Sequence, residues 1–163
     1  MTNRSWIRRA RRVLLAVATA IAFVGLALGT AAPSQAATQE PCDIFGAAGT
    51  PCVAAHSTVR ALFAAYNGPL YQVQRASDST YTNVGVLTAG GVGNAAAQDS
   101  FCASTTCTIT RIYDQTTHHN DLTVEGPGGN GGQDKPANAA ALPITVGGHK
   151  AYGVYIAPGM GYR

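Results

Sequence analysis

Charged residues are scarce in this 163-residue chain, at 12% of the total. So few charges exclude a coiled coil and a charge-rich disordered chain. Acidic residues are missing altogether before Glu40, whereas five of the eleven basic residues lie within the first twelve positions. Residues 37–163 therefore keep six basic and eight acidic residues, a net charge of −2. That balance gives no basic surface for a nucleic-acid backbone, so we expect no nucleic-acid partner.

The first 36 residues have the pattern of a secretory signal peptide. An arginine-rich start leads into an apolar run over residues 13–29, and Ser34-Gln35-Ala36 fits the small-x-small cleavage pattern. We predict cleavage after Ala36, which gives a secreted, extracellular domain over residues 37–163 with no membrane attachment. The alternative is an uncleaved anchor, because the apolar run approaches the shortest length that spans a bilayer.

Cysteines occur only in the predicted mature part, and export permits them to form disulfides. Four cysteines allow three pairings, of which the local one closes the shortest loops. A metal site is the rival interpretation, but the Cys102-x4-Cys107 spacing is wide for zinc and lacks a second close pair. We therefore predict disulfides, no metal and no cofactor. The four residues are Cys42, Cys52, Cys102 and Cys107.

One helix is predicted near the start of the mature part. Thr50 has the character of an N-cap and Pro51 of a first helical residue. Residues 67–69 (Asn-Gly-Pro) stop the helix. Between them, four apolar residues recur at helical spacing and form one face: Val59, Leu62, Phe63 and Tyr66.

Short strands are predicted after this helix. Residues 70–75, 84–87 and 108–113 are strand candidates, the last of them buried, and residues 77–83 and 126–132 are turn or loop material. Residues 144–156 read as a hairpin around the turn Gly147-Gly148. One helix followed by many short strands predicts an all-β fold, a sandwich or barrel.

Two motifs imitate known catalytic or cofactor sites. Gly91-x-Gly93-x-x-Ala96 resembles a dinucleotide fingerprint, but no βαβ unit surrounds it, so a turn before an Ala-rich segment is the better interpretation. His56-Ser57 suggests a base beside its nucleophile. Adjacent residues on a helix point apart, however, and no Gly-x-Ser-x-Gly elbow occurs, so we expect a helix surface there.

Polar residues after the third strand candidate are the other possible site. His118-His119 with Asp114 or Asp121 could bind a metal, although a polar turn between strands is the better interpretation. Asp114 and Asp121 could also be the two carboxylates that a glycosidase needs, but Asx residues at turns usually bond their own backbone. Four tyrosines could stack on a sugar, or belong to the core or its rim: Tyr71, Tyr113, Tyr152 and Tyr155.

Long segments of the chain together resemble one protein family. Their order and amino-acid sequences resemble the start of the catalytic domain of family 54 glycoside hydrolases, the α-L-arabinofuranosidase B type, across residues 41–163. The segments are PCDIF (41–45), TPCVAAHSTVRALFAAYNGPLYQVQRASD (50–78), LTAGGVGNAAAQDSFC (87–102), CTITRIYDQTTHHNDLT (107–123) and GHKAYGVYIAPGMGYR (148–163).

This resemblance implies a fold, a reaction and a disulfide pattern. The fold is a jelly-roll or concanavalin-like β-sandwich, and the reaction is the retaining hydrolysis of terminal α-L-arabinofuranosyl groups from arabinoxylan and arabinan. The disulfides are Cys42–Cys52 and Cys102–Cys107. The family's nucleophilic Glu and acid/base Asp are expected beyond Arg163, so no residue here inherits a catalytic role.

The sequence therefore predicts an incomplete sandwich: the N-terminal portion of a secreted arabinofuranosidase, inactive and aggregation-prone when expressed alone, because half a sandwich exposes strand edges and an apolar face. The expected partner is an arabinose-containing plant cell-wall polysaccharide. Two alternatives are a non-catalytic, lectin-like jelly roll that binds such a polysaccharide and a small disulfide-stapled structural domain.

Overall fold

The computed structural model describes residues 38–128 and 131–163. The predicted signal peptide lies outside these residues. Within them, the chain forms two short helices and six strands. In chain order these are α1 (Pro41–Ala47), β1 (Pro69–Arg75), β2 (Tyr81–Gly85), α2 (Ala95–Phe101), β3 (Cys107–Ile112), β4 (Leu122–Thr123), β5 (Leu142–Val146) and β6 (His149–Gly153).

Four strands form an antiparallel sheet in the order β2-β1-β3-β4. Its central strands, β1 and β3, are those predicted from apolar and β-branched residues. An irregularity in the pairing of β1 with β2 between Pro69 and Tyr71 breaks the alternation of faces. Leu70 and Tyr71 are consequently both buried, and they form the core with Val73, Val84, Cys107, Ile109, Ile112 and Ala139.

The edge strand β2 begins earlier than predicted. Residues 77–83 were expected to be turn, yet Tyr81, Thr82 and Asn83 pair with β1. An edge strand needs only one apolar face, and Val84 alone is buried in β2. The turn itself is shorter and contains Ser79 with φ of 58°.

The C-terminal hairpin is confirmed around its predicted turn, although it spans residues 142–153 and not the predicted 144–156. β5 and β6 pair antiparallel around Gly147 and Gly148, whose φ angles are 56° and 80°. Two successive positive φ angles are the requirement of a type I′ turn, which glycine meets without strain. The architecture is thus all-β, as predicted.

The helix predicted between Thr50 and residue 67 is wrong. This segment is irregular, and several of its backbone amides bond to groups that are distant in the sequence. The amide of Ala61 donates to the Gly91 carbonyl (2.8 Å) and that of Ala64 donates to Asp43 Oδ2 (2.7 Å). These tertiary hydrogen bonds override a weak helical pattern.

The two helices form elsewhere. α1 has Glu40 as N-cap, with a reciprocal capping box to Asp43. Its Cys42 is bonded to Cys52, and Cys102 at the end of α2 is bonded to Cys107 at the start of β3. The structure therefore contains the local pairing.

The glycine-rich segment before α2 is a turn, the interpretation that was preferred over a dinucleotide site. A Cβ on Gly90 would lie 2.6 Å from the Ala64 carbonyl oxygen, and one on Gly93 would lie 3.1 Å from that of Thr58. These glycines allow two backbone segments to approach closely. Asn94 then caps the seven-residue helix by accepting from the Ala97 amide.

Candidate functional site

Residues 113–121, between β3 and β4, bring together several of the polar residues singled out in the sequence. The segment starts at Tyr113, whose amide donates to the Leu70 carbonyl (2.9 Å). It ends at Asp121, directly before β4. His56 joins it from the irregular segment, since its Nε2 lies 2.7 Å from the Asn120 carbonyl oxygen. We call residues 113–121 the polar loop.

Asp114 is the centre of the polar loop. It is 3% exposed, and its carboxylate accepts from the amides of Ala55 (2.8 Å), Thr116 (3.0 Å) and Asn120 (3.1 Å) and from the Thr116 hydroxyl (2.8 Å). Burial works to raise the pKa of Asp114, but these hydrogen bonds outweigh it and lower the pKa to about 2. The residue is therefore an anion that organises backbone, as expected for an Asx residue at a turn.

Asp121 is also engaged. Its Oδ1 accepts from the Asp114 amide (3.0 Å), and its Oδ2 lies 3.4 Å from Arg111 Nη1. A glycosidase needs one carboxyl group that donates a proton and a second that faces the sugar. Asp114 meets neither need because its oxygens are taken by protein donors, so the geometry does not support this pair as the acid and nucleophile.

His56 and Ser57 do not form a base–nucleophile pair. Ser57 Oγ accepts from the amides of Val59 and Arg60, both at 3.2 Å. The His56 imidazole contacts the Asn120 carbonyl instead. The expected helix surface is wrong as well, because these residues belong to the irregular segment.

His118 and His119 lie exposed in the polar loop, and His119 has a turn conformation with φ of 53°. Among residues 38–128 and 131–163, no group of three or more His, Cys, Asp or Glu side chains is arranged to hold a metal ion. The same part of the chain has no helix long and apolar enough to span a membrane. The observed geometry is that of a polar turn.

The four tyrosines have different environments. Tyr71 and Tyr152 belong to the core, at 1% and 6% exposure, whereas Tyr155 is 57% exposed. Tyr113 is half-buried, and its hydroxyl donates to Asn83 Oδ1 (2.9 Å). The Arg111 guanidinium lies 5.7 Å from the Tyr113 ring centre, so this ring is held in a fixed orientation at the surface.

Two cavities of about 520 and 500 Å³ lie beside the polar loop. Both are lined by Tyr66, Gln115, Thr116 and Thr117, so they are adjacent, and we call them together the loop groove. The first also contacts Pro51, Val53, Phe63 and His118, and the second Tyr113, His119 and Asp121. The Tyr66 hydroxyl donates to the Pro69 carbonyl (2.5 Å). Burial first, then the charges of Asp121 and Asp114, raise the pKa of Tyr66.

Sequence reasoning missed Gln115 and assigned Tyr66 and Phe63 to a helix. Gln115 Oε1 accepts from the Leu62 amide (2.7 Å), and its Nε2 donates to the Arg60 carbonyl (3.1 Å). This side chain supplies two of the tertiary hydrogen bonds that stand in place of helical ones. A Gln after Tyr-Asp carries no local signal for such a role.

The fold and the local disulfides define the class: an antiparallel β protein whose irregular loops are fixed by disulfides and buried polar groups. Residues 41–163 match the family described as "Alpha-L-arabinofuranosidase B, catalytic". The chain belongs to this family, and the resemblance read from its sequence is confirmed.

Relatives and solved structures agree with this assignment. The chain is 58% identical to a probable α-L-arabinofuranosidase B of Aspergillus clavatus (87% of this chain, 29% of the relative) and 57% identical to the α-L-arabinofuranosidase B of Emericella nidulans (85% and 28%). A GH54 α-L-arabinofuranosidase soaked with a cyclic sulfate inhibitor superposes with a TM-score of 0.74 at 54% identity (76% of this chain, 27% of that one).

A second structure is an arabinofuranosidase complexed with arabinofuranosyl-α-1,2-xylobiose, with a TM-score of 0.72 at 53% identity (77% and 27%). These likenesses confirm the β-sandwich class. The chain spans less than a third of the length of the curated relatives that it matches.

Proposed function

We propose that this protein is a secreted, retaining α-L-arabinofuranosidase that hydrolyses terminal α-L-arabinofuranosyl groups from arabinoxylan or arabinan. The observation that carries the proposal is the family match over residues 41–163 together with 54–58% identity to family members. Identity at this level along a continuous stretch supports a shared reaction as well as a shared fold.

Retaining hydrolysis needs two carboxyl groups about 5 Å apart, one on each side of the glycosidic bond. Three of the carboxylates in the described residues have structural partners instead. Glu40 is buried against Arg60, Asp114 has its four hydrogen bonds, and Asp99 accepts from Lys150 and Tyr152. We therefore propose that the nucleophilic Glu and the acid/base Asp lie beyond Arg163, and that residues 38–163 form part of the scaffold.

Mutagenesis of two partly exposed acids, Asp121 and Glu125, tests this division of roles. In the enzyme expressed from its complete coding sequence, Asp121→Asn and Glu125→Gln should keep kcat on p-nitrophenyl α-L-arabinofuranoside within about threefold. A catalytic carboxylate would lose orders of magnitude instead. Such a loss in either variant, with an unchanged melting temperature, would place catalysis in this part of the chain.

The reaction itself is tested with the same complete protein. Release of arabinose from arabinoxylan, with the α-anomer as first product in an NMR time course, supports the proposal. Binding of arabinoxylan without release of arabinose would favour the lectin-like alternative. A folded protein that neither binds nor cleaves arabinoxylan would favour the alternative of a disulfide-stapled structural domain.

Secretion is part of the proposal and rests on the signal-like residues 1–36 and on the two disulfides, since disulfides persist in oxidising compartments. Mass spectrometry of the secreted protein should give Ala37 as its first residue. A product that retains the N-terminal arginines and stays with the membrane would instead support an uncleaved anchor.

A further inference from the structure

We propose that the loop groove binds a stretch of neutral polysaccharide chain and so holds the polymeric substrate on the enzyme. This inference rests on the proposed function, because it concerns the polymer whose arabinosyl groups the enzyme removes.

The charges of the groove favour a neutral ligand. Its described lining contains no lysine or arginine, and its carboxylates are those of Asp114 and Asp121. Asp114 is saturated by hydrogen bonds, and Asp121 accepts from the Asp114 amide and pairs with Arg111. Neither a cation nor an anionic polymer therefore finds a free partner of opposite charge here, whereas a neutral glycan needs none.

The surfaces of the groove suit sugar rings. Aromatic side chains line both halves, Phe63 and Tyr66 in one and Tyr66 and Tyr113 in the other, and flat apolar rings stack on the apolar faces of sugars while polar groups fix the orientation. The Thr117 hydroxyl and the imidazoles of His118 and His119 are exposed beside them. These groups both donate and accept, as sugar hydroxyls require.

The dimensions favour a chain over a single sugar. Each cavity, at about 500 Å³, lies within the usual range of roughly 300–1,000 Å³ for small-ligand sites. Two such cavities side by side accommodate successive units of one polymer. Tyr113 is already oriented by its hydrogen bond to Asn83 and its cation–π contact with Arg111. Little side-chain conformational entropy is therefore lost when a ligand binds.

Thr117 offers the sharpest variant because it lines both cavities and is exposed. In the complete enzyme, Thr117→Arg places a long charged side chain across the groove, and Tyr113→Ala removes one aromatic wall. Tyr155→Ala, at an exposed tyrosine outside the groove, is the matched control. The readouts are kcat/KM on arabinoxylan and on p-nitrophenyl α-L-arabinofuranoside, with melting temperatures for all variants.

We expect kcat/KM on arabinoxylan to fall about five- to tenfold in Thr117→Arg and Tyr113→Ala through a higher KM, as for loss of an aromatic contact in an interface. The small substrate should be cleaved as by the wild type, and Tyr155→Ala should match the wild type on both. If Thr117→Arg is as active as the wild type on arabinoxylan, the proposal that the loop groove binds the polymer is wrong. It is also wrong if Thr117→Arg loses the same activity on arabinoxylan and on p-nitrophenyl α-L-arabinofuranoside. A wild type inactive on both substrates rejects the proposed function instead.

Discussion

Asp114 Oδ1 accepts a hydrogen bond from the backbone amide of Ala55, 59 residues earlier in the chain, at 2.8 Å. The backbone amide of Gln115 donates a second hydrogen bond, to the Ala55 carbonyl (2.9 Å). The polar loop and the irregular segment thus fix each other, although neither contains regular secondary structure there. Asp114, which the sequence offered as a possible catalytic acid but favoured as a turn residue, is the main support of the loop.

Asp114→Asn should destabilise the protein by about 2–4 kcal/mol, as expected when a buried, hydrogen-bonded charge network is broken. In Asn, an NH2 group replaces one carboxylate oxygen. This NH2 donor would then face at least one backbone N–H donor, that of Ala55, Thr116 or Asn120, which now bonds to an acceptor oxygen. Asp78→Asn is the control, because Asp78 is exposed and bonds only within its own turn, to Thr80 and Arg75. Urea unfolding should show a clearly smaller change for Asp78→Asn than for Asp114→Asn; equal effects would contradict the role of Asp114.

The pH dependence follows from the same carboxylate. Its pKa is lowered from 3.8 to about 2 in the folded state, so the folded protein holds the charged form more strongly than the unfolded chain does. The stabilisation is fully present above pH ~4 and is lost as the pH falls towards 2. The difference in unfolding free energy between wild type and Asp114→Asn should be constant from pH 5 to 7 and shrink below pH 4. A difference that does not change with pH would mean that the Asp114 charge contributes nothing.

The limits of prediction follow from where each hydrogen-bond partner lies in the sequence. β1, β3 and the β5–β6 hairpin were predictable because their apolar runs and the Gly147-Gly148 turn are local signals. The helix after Thr50 was not excluded by any local signal, since the groups that replace its hydrogen bonds belong to residues 43, 91 and 115.

The candidate site shows the same division. The polar residues of the loop were visible as a cluster in the sequence, and their Asx character indicated a turn. The loop groove was not visible, because Phe63 and Tyr66 reach it only when the preceding segment is irregular. Prediction failed where the structure depends on contacts between residues that are 21 to 55 positions apart.

Tyr71→Phe tests a second buried polar contact. The Tyr71 hydroxyl donates to Gln98 Oε1 (2.7 Å), and Gln98 Nε2 donates to the Ala139 carbonyl (3.0 Å), so one chain of bonds joins β1, α2 and residue 139. Both side chains are about 1% exposed, and burial raises the pKa of Tyr71, which keeps the donor proton in place. Loss of the hydroxyl leaves Gln98 Oε1 without a donor and should cost about 1–2 kcal/mol. Thermal unfolding of Tyr155→Phe, at an exposed tyrosine, should match the wild type; a neutral Tyr71→Phe would show that this bond adds no stability.

Gly90→Ala and Gly159→Ala separate backbone strain from lack of space. Both glycines have positive φ, 70° and 78°, so each substitution should cost about 1 kcal/mol for conformation alone. At Gly159 the new methyl group meets nothing within 4 Å, whereas at Gly90 it meets the Ala64 carbonyl oxygen at 2.6 Å.

The Gly90 variant should therefore lose clearly more stability, about 2–4 kcal/mol, because the obstructing atom is backbone and cannot turn away. Gly90 also donates to the Tyr66 carbonyl (2.9 Å), so a shift of residues 64–66 moves an aromatic wall of the loop groove. We expect Gly90→Ala to raise KM for arabinoxylan at a temperature where the variant is still folded, and Gly159→Ala to leave it unchanged. Equal unfolding free energies for the two variants would show that residues 64–66 can shift away from the new methyl group at position 90 without loss of stability.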